Sequence, residues 1–166
     1  MLHRSELNFT YIRAFMPTTR FFAARFFALL LLLLPLFASA QKTAAEWFLE
    51  GNRYQDHRDY HNALVAFDQA IYLSPNFSGA YNNRGAVKAE LGDFNSAIED
   101  FDRSIELGHP IPAYPYYNRG CVKEKLGRCT EAIRDYWDAL EKNPGFNPKK
   151  QEIQDGLIRL LEKCRA

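Results

Sequence analysis

The sequence predicts an all-α fold: a solenoid of three helix-turn-helix repeats closed by a C-terminal capping helix. Three observations carry that prediction. The stretches YNNRGAVKAELG at 81–92 and YYNRGCVKEKLG at 116–127 share Tyr, Asn, Arg, Gly, Val, Lys, Leu and Gly in one order and spacing. Gly51, Gly85 and Gly120 stand 34 and then 35 residues apart, a period at which one supersecondary unit repeats. The tail NPKKQEIQDGLIRLLEKC carries a single apolar stripe at helical spacing.

The first element is read apart from the rest. Arg20 and Arg25 precede an apolar run from Phe26 to Phe37, Pro35 interrupts the run, and Ala38, Ser39 and Ala40 supply small residues before Gln41. This resembles a secretory signal peptide, so residues 1–40 are expected to be cleaved off after Ala40, leaving an exported protein in a periplasmic or secreted location. The apolar run is about a dozen residues, short of the ~20 that span a bilayer, so no membrane span is expected after cleavage. Membrane association is expected only if the signal stays uncleaved. Gln41 stands where a lipoprotein box needs Cys, and Met16 would open a leader of ordinary length, which makes it a candidate start.

Residues 41–166 are then one domain, with units at about 44–77, 78–112 and 113–146 and a cap at about 148–164. Aligning the units on their Gly brings Trp47, Tyr81 and Tyr116 into register four residues before it and Ala63, Ala97 and Ala132 twelve after. Phe67, Phe101 and Tyr136 follow at sixteen, Ala70, Ser104 and Ala139 at nineteen, and each unit closes near Pro75, Pro110 or Pro144. HRDY at 57–60, LGDF at 91–94 and LGRC at 126–129 interrupt the helical pattern once per unit. First helices are therefore expected at about 44–57, 78–91 and 113–126, and second helices at about 60–73, 94–107 and 129–142. The Gly allows a first helix to cross its second helix closely, against the Ala. The aromatic residues supply the surface between units. GHPIPAYP absorbs the extra residue between units two and three.

An array must cover the apolar face of its last unit, and the tail suits that task. Ile153, Leu157, Leu160, Leu161 and Cys164 fall on one stripe, which reads as the capping helix, with Cys164 in its core.

These offsets resemble the tetratricopeptide repeat over residues 44–144, and the resemblance implies a right-handed array whose first helices line a concave groove. Glu50, Arg84 and Arg119 depart from it where the repeat carries Leu before the Gly, and Lys88 and Lys123 replace the aromatic that Tyr54 retains. Those departures predict a looser core between first helices. The resemblance places Phe48, Asn52 and Gln55 in the groove from unit one, and Asn82, Asn83, Ala86 and Glu90 from unit two. Tyr114, Tyr117, Asn118, Cys121, Glu124 and Lys125 follow from unit three. Amides and aromatics together suit an extended peptide, whose backbone needs donors and acceptors and whose side chains need apolar contact. Of the carboxylate clamp that some relatives use for a partner's C-terminus, Asn52 and Asn83 match its two Asn. Phe48, Tyr114 and Asn118 stand where its basic residues belong, so carboxylate capture is not expected.

Other function classes lack their residues. Residues 41–166 carry 17 basic and 19 acidic side chains, a net charge of −2, with no basic patch for nucleic acid. His57 and His61 bracket a turn and do not make a helical metal pair. No nucleophile elbow, phosphate loop or Cys-x-x-Cys is present, so neither an enzyme nor a cofactor is expected. The acidic residues at 99, 100 and 102 read as a solvated helix face. Three cysteines leave at least one unpaired, and Cys121 lies ~7.5 Å along its helix from the turn before Cys129, which argues against a bridge between those two. The reading is a non-catalytic module for a protein or peptide partner. The alternatives are a permanent subunit of an envelope or secretion assembly and a small redox or metal-binding protein.

Overall fold

A computed structural model describes residues 41–142 and 149–164, and all of these but Gln41 lie within one compact unit that runs from Lys42 onward. The signal peptide and Met16 expected within residues 1–40, and Pro144, lie outside the described residues. The helices follow from local chemistry. Thr43 and Glu46 form a reciprocal capping box that starts α1, Ala44–Asp56. Asp59 and Asp93 each accept from the backbone N–H three residues on, starting α2, Tyr60–Leu73, and α4, Phe94–Glu106. Between them runs α3, Ser78–Glu90, and beyond them come α5, Ala113–Lys125, α6, Cys129–Lys142, and α7, Lys150–Lys163.

The turn inside each unit needs a left-handed residue before the second helix. Gly92 and Gly127 supply it with φ of 84° and 73°, and unit one places Arg58 there at φ 59°. No strand occurs among the described residues, and the six repeat helices begin where the sequence places them and end within a residue of it.

Packing explains the period. A Cβ on Gly120 would stand 2.7 Å from Cε1 of the Tyr136 ring, so only a bare backbone lets α5 and α6 close on that ring. Ala63, Ala97 and Ala132 are fully buried. Each apolar cluster joins the second helix of one unit to the next first helix: Ala63 and Phe67 with Val87, then Ala97 and Phe101 with Val122. The third joins Ala132, Tyr136 and Ala139 to Ile153, Leu157 and Leu160. The cap α7 therefore occupies the place of a fourth first helix. Its Gly156 faces the other edge of the Tyr136 ring, 36 residues after Gly120.

Three expectations need correction. The stripe of α7 buries Ile153, Leu157 and Leu160, but Leu161 and Cys164 are exposed, and Cys164 forms a disulfide with Cys129 across a Cα separation of 6.4 Å. Cys121 is the free thiol.

The polar replacements do not loosen the array. Arg84 makes a two-pronged contact with Asp100, at 2.9 and 2.6 Å, and reaches Asp68 of the preceding unit at 2.6 Å, while Lys88 meets Asp100 at 2.8 Å. Arg119 repeats this with Asp135, at 2.9 and 2.6 Å, and with Asp102, while Lys123 meets Asp135 at 2.8 Å. Each Arg thus joins its own second helix to the one before, and also lies over an aromatic ring, Tyr81 or Tyr116. Burial disfavours both guanidinium charges, but the paired aspartates outweigh it and raise both pKa values.

The acidic run on α4 is divided accordingly. Glu99 is exposed, Asp100 is buried beneath Arg84, and Asp102 receives Arg119.

Candidate functional site

The first helices touch one another in sequence, α1 with α3 and α3 with α5, as they must on the inner side of a curved array. On that side four amides form a continuous ladder. Asn118 donates to Asn82 at 3.0 Å, Asn82 donates to Asn83 at 2.9 Å, and Asn83 donates to Asn52 at 2.7 Å. The ladder crosses all three first helices. Asn52, Asn83 and Asn118 are half-buried, whereas Asn82 is 5% exposed and braces its neighbours from beneath. Its oxygen and nitrogen are both satisfied, as a buried amide requires.

The ladder has an aromatic group at each end. Phe48 stacks against Phe77 at 4.7 Å and Phe67 at 5.9 Å between ring centroids, so part of its surface is committed to packing. Tyr117 lies 6.0 Å from the Tyr136 ring and donates to Glu152 of α7 at 2.7 Å.

Glu124 accepts from the Tyr136 hydroxyl at 2.8 Å and from Arg159 of α7 at 3.0 Å. Tyr117, Cys121, Glu124, Tyr136, Glu152 and Arg159 line a pocket of about 390 Å³ between α5, α6 and the cap. Sequence reasoning found Tyr117, Cys121 and Glu124 but not the α7 wall. The signal for that wall was Gly156, which continues the period of the earlier glycines.

Electrostatics tighten this end. Burial works against the charge of Glu124, but hydrogen bonds from Arg159 and Tyr136 prevail and lower its pKa. The Tyr117 hydroxyl, followed by Lys149, lowers that of Glu152. Burial, then Glu152 and Cys121, raises the Tyr117 pKa, while burial, then Cys121 and Glu124, raises that of Tyr136. Both phenols stay protonated as donors, and both carboxylates stay charged as acceptors. The other candidates fall around the ladder: Gln55, Ala86, Tyr114 and Cys121 are half-buried, and Glu90 and Lys125 are exposed.

A second depression, about 660 Å³ and mainly apolar, lies between α6 and α7 and is lined by Thr130, Ile133, Ile158, Leu161, Glu162 and Cys164. No helix of the described residues is long and apolar enough to cross a membrane.

A tetratricopeptide repeat family model matches residues 78–107. Mouse tetratricopeptide repeat protein 36 is 42% identical over 59 residues, which cover 36% of this chain and 32% of that protein. The matched part is thus about a third of that relative's length.

Among solved structures, the TPR2B domain of yeast Sti1 in complex with an Hsp70 peptide superposes with a TM-score of 0.68 at 26% identity, covering 72% of this chain and 97% of that one. The first TPR domain of Spaghetti (RPAP3), bound to the HSP90 peptide SRMEEVD, has the same TM-score at 22% identity, covering 75% of this chain and 94% of that one.

Proposed function

Because the chain is a tetratricopeptide-repeat protein, we propose that it is a non-catalytic binding module whose concave face takes an extended segment of a peptide or protein partner. The observation that carries this reading is the amide ladder from Asn52 through Asn83 and Asn82 to Asn118, set between Phe48 and Tyr117. Asn52 gives the ladder only its oxygen and Asn118 only its nitrogen, so each keeps the other half of its amide for a ligand backbone. The solved neighbours named above hold peptides of HSP90 and Hsp70, which supports a peptide as the class of ligand.

The ligand we propose is not an acidic C-terminal tail. Phe48, Tyr114 and Asn118 offer no positive charge along the ladder, and a carboxylate would lose its strongest contacts there. We place the protein outside the cytoplasm, in a periplasmic or secreted location. The signal-like segment before Gln41 supports this, as does the Cys129–Cys164 disulfide, a bond that persists in oxidising compartments.

The ladder also decides which substitution tests the groove. Asn83 and Asn118 both bond the buried Asn82, so replacing them with Ala would strand its polar atoms and destabilise the fold. Asn52 ends the ladder and can be removed at little cost. Peptides selected from a displayed library on residues 41–166 are expected to bind Asn52→Ala about three- to tenfold more weakly, at unchanged thermal stability. The peptide SRMEEVD is expected not to bind either protein. Equal affinity of the selected peptides for both proteins would move the site away from the ladder.

A permanent place in an envelope or secretion assembly is the second reading. The exposed Trp137, Ile158 and Leu161 at the α6 and α7 end favour it, since a lasting interface needs such surface.

A further inference from the structure

We infer that the cap is an oxidation-locked wall of the groove: the Cys129–Cys164 disulfide holds the C-terminal half of α7 in place, and its reduction opens the unit-three end of the binding face. This deepens the groove reading and takes its meaning from it. Cys129 is the first residue of α6 and Cys164 is the C-cap of α7, 35 residues later, so the bond ties the last turn of the cap to the start of the preceding helix.

The two halves of α7 are held differently. Ile153 is fully buried near its start, and Glu152 takes the Tyr117 hydroxyl. Toward its end Leu157 and Leu160 are buried, but Ile158, Leu161 and Lys163 are exposed, and the polar tie is Arg159 to Glu124 at 3.0 Å with Arg159 itself largely exposed. An exposed ion pair is a weak restraint. Beyond the burial of Leu157 and Leu160, the covalent bond is the strong restraint on this half.

The same half of α7 faces the site. Arg159 and Lys163 form one side of the pocket that holds Tyr117, Cys121, Glu124 and Tyr136. Moving that half outward removes the Arg159 contact from Glu124 and uncovers Cys121, the half-buried free thiol on α5.

The chemistry requires a dithiol reductant. Its thiolate attacks the sulfur of Cys164, the exposed partner, and the S–S electron pair leaves on Cys129. The donor's second thiol then displaces Cys164 from the mixed disulfide. The donor ends as a disulfide, and its two protons end on Cys129 and Cys164.

The test reads the protein alone, so it stands whether or not a groove ligand exists. Residues 41–166 are compared oxidised, reduced by dithiothreitol, and as Cys129→Ser with Cys164→Ser, by amide hydrogen exchange and by mass-spectrometric alkylation of Cys121. Reduction is expected to speed exchange in residues 157–163 and alkylation of Cys121 by at least about tenfold, with residues 44–106 unchanged. The double variant should match the reduced protein with or without dithiothreitol. Unchanged exchange and alkylation after reduction would overturn the inference, and so would equal acceleration along the whole array. Failure of the groove reading would appear separately, as selected peptides indifferent to Asn52→Ala.

Discussion

At the residue scale the informative positions are the ones that break the apolar pattern. Arg84 and Arg119 occupy a site where an array of this kind carries an apolar residue, and each is bound by an Asp sixteen residues on that is almost wholly buried. The partner is part of the substitution. In unit one, where Glu50 replaces the Arg, the place of Asp100 and Asp135 is taken by the buried Ala66. A buried charge is tolerated when its partners and hydrogen bonds are complete, and truncating one member leaves the others stranded. Asp135→Ala is therefore expected to cost about 3 to 5 kcal/mol, since it removes the bonds of both Arg119 and Lys123. Asp102→Ala touches the same Arg119 from a side chain that is 47% exposed, and should cost ~1 kcal/mol or less. Urea denaturation of the two variants measures the contrast. Equal losses would mean that the buried arm of the network contributes no more than the surface arm.

At the scale of the element, α7 is joined to the array by two carboxylates as well as by apolar burial. Glu152 receives Tyr117, and Glu124 receives Arg159. Both folded-state pKa values lie below the ordinary 4.5, so the folded state binds fewer protons than the unfolded chain in the acidic range. Their contribution is present in full above that value and is lost as pH falls through the lower folded ones. Thermal stability should therefore decline between about pH 5 and 3, and Glu124→Gln with Glu152→Gln should flatten that decline. Melting curves across the range decide it. An identical slope in the double variant would assign the acid sensitivity to carboxylates elsewhere in the array. Glu124 has further weight because Tyr136, which it holds by the hydroxyl, carries Gly120 on one edge of its ring and Gly156 on the other.

For the whole molecule, what the sequence made legible was its period. The turns HRDY, LGDF and LGRC set the helix ends, and the glycines marked where helices meet. Contacts between units were harder to read, because they depend on how far each hairpin rotates against the last. That rotation brings Asn83 to Asn52 and Arg119 to Asp102, and it turns Asn82 from groove surface into buried support. The Cys129–Cys164 pair was within reach, since its 35-residue separation equals the repeat period that stacks one unit on the next. Along such an array stability is nearly a sum of units and of interfaces between neighbours, so damage at one end should fade toward the other. Ending the chain at Lys142 removes Ile153, Leu157 and Leu160 from the Tyr136 cluster, each worth roughly 1.5 to 3 kcal/mol of burial before the ordering of α7 is set against it. Amide exchange in α5 and α6 should then rise by orders of magnitude while α1 and α2 change little. Exchange that rises equally in all six remaining helices would show that the array unfolds as one cooperative block and that α7 protects every unit alike.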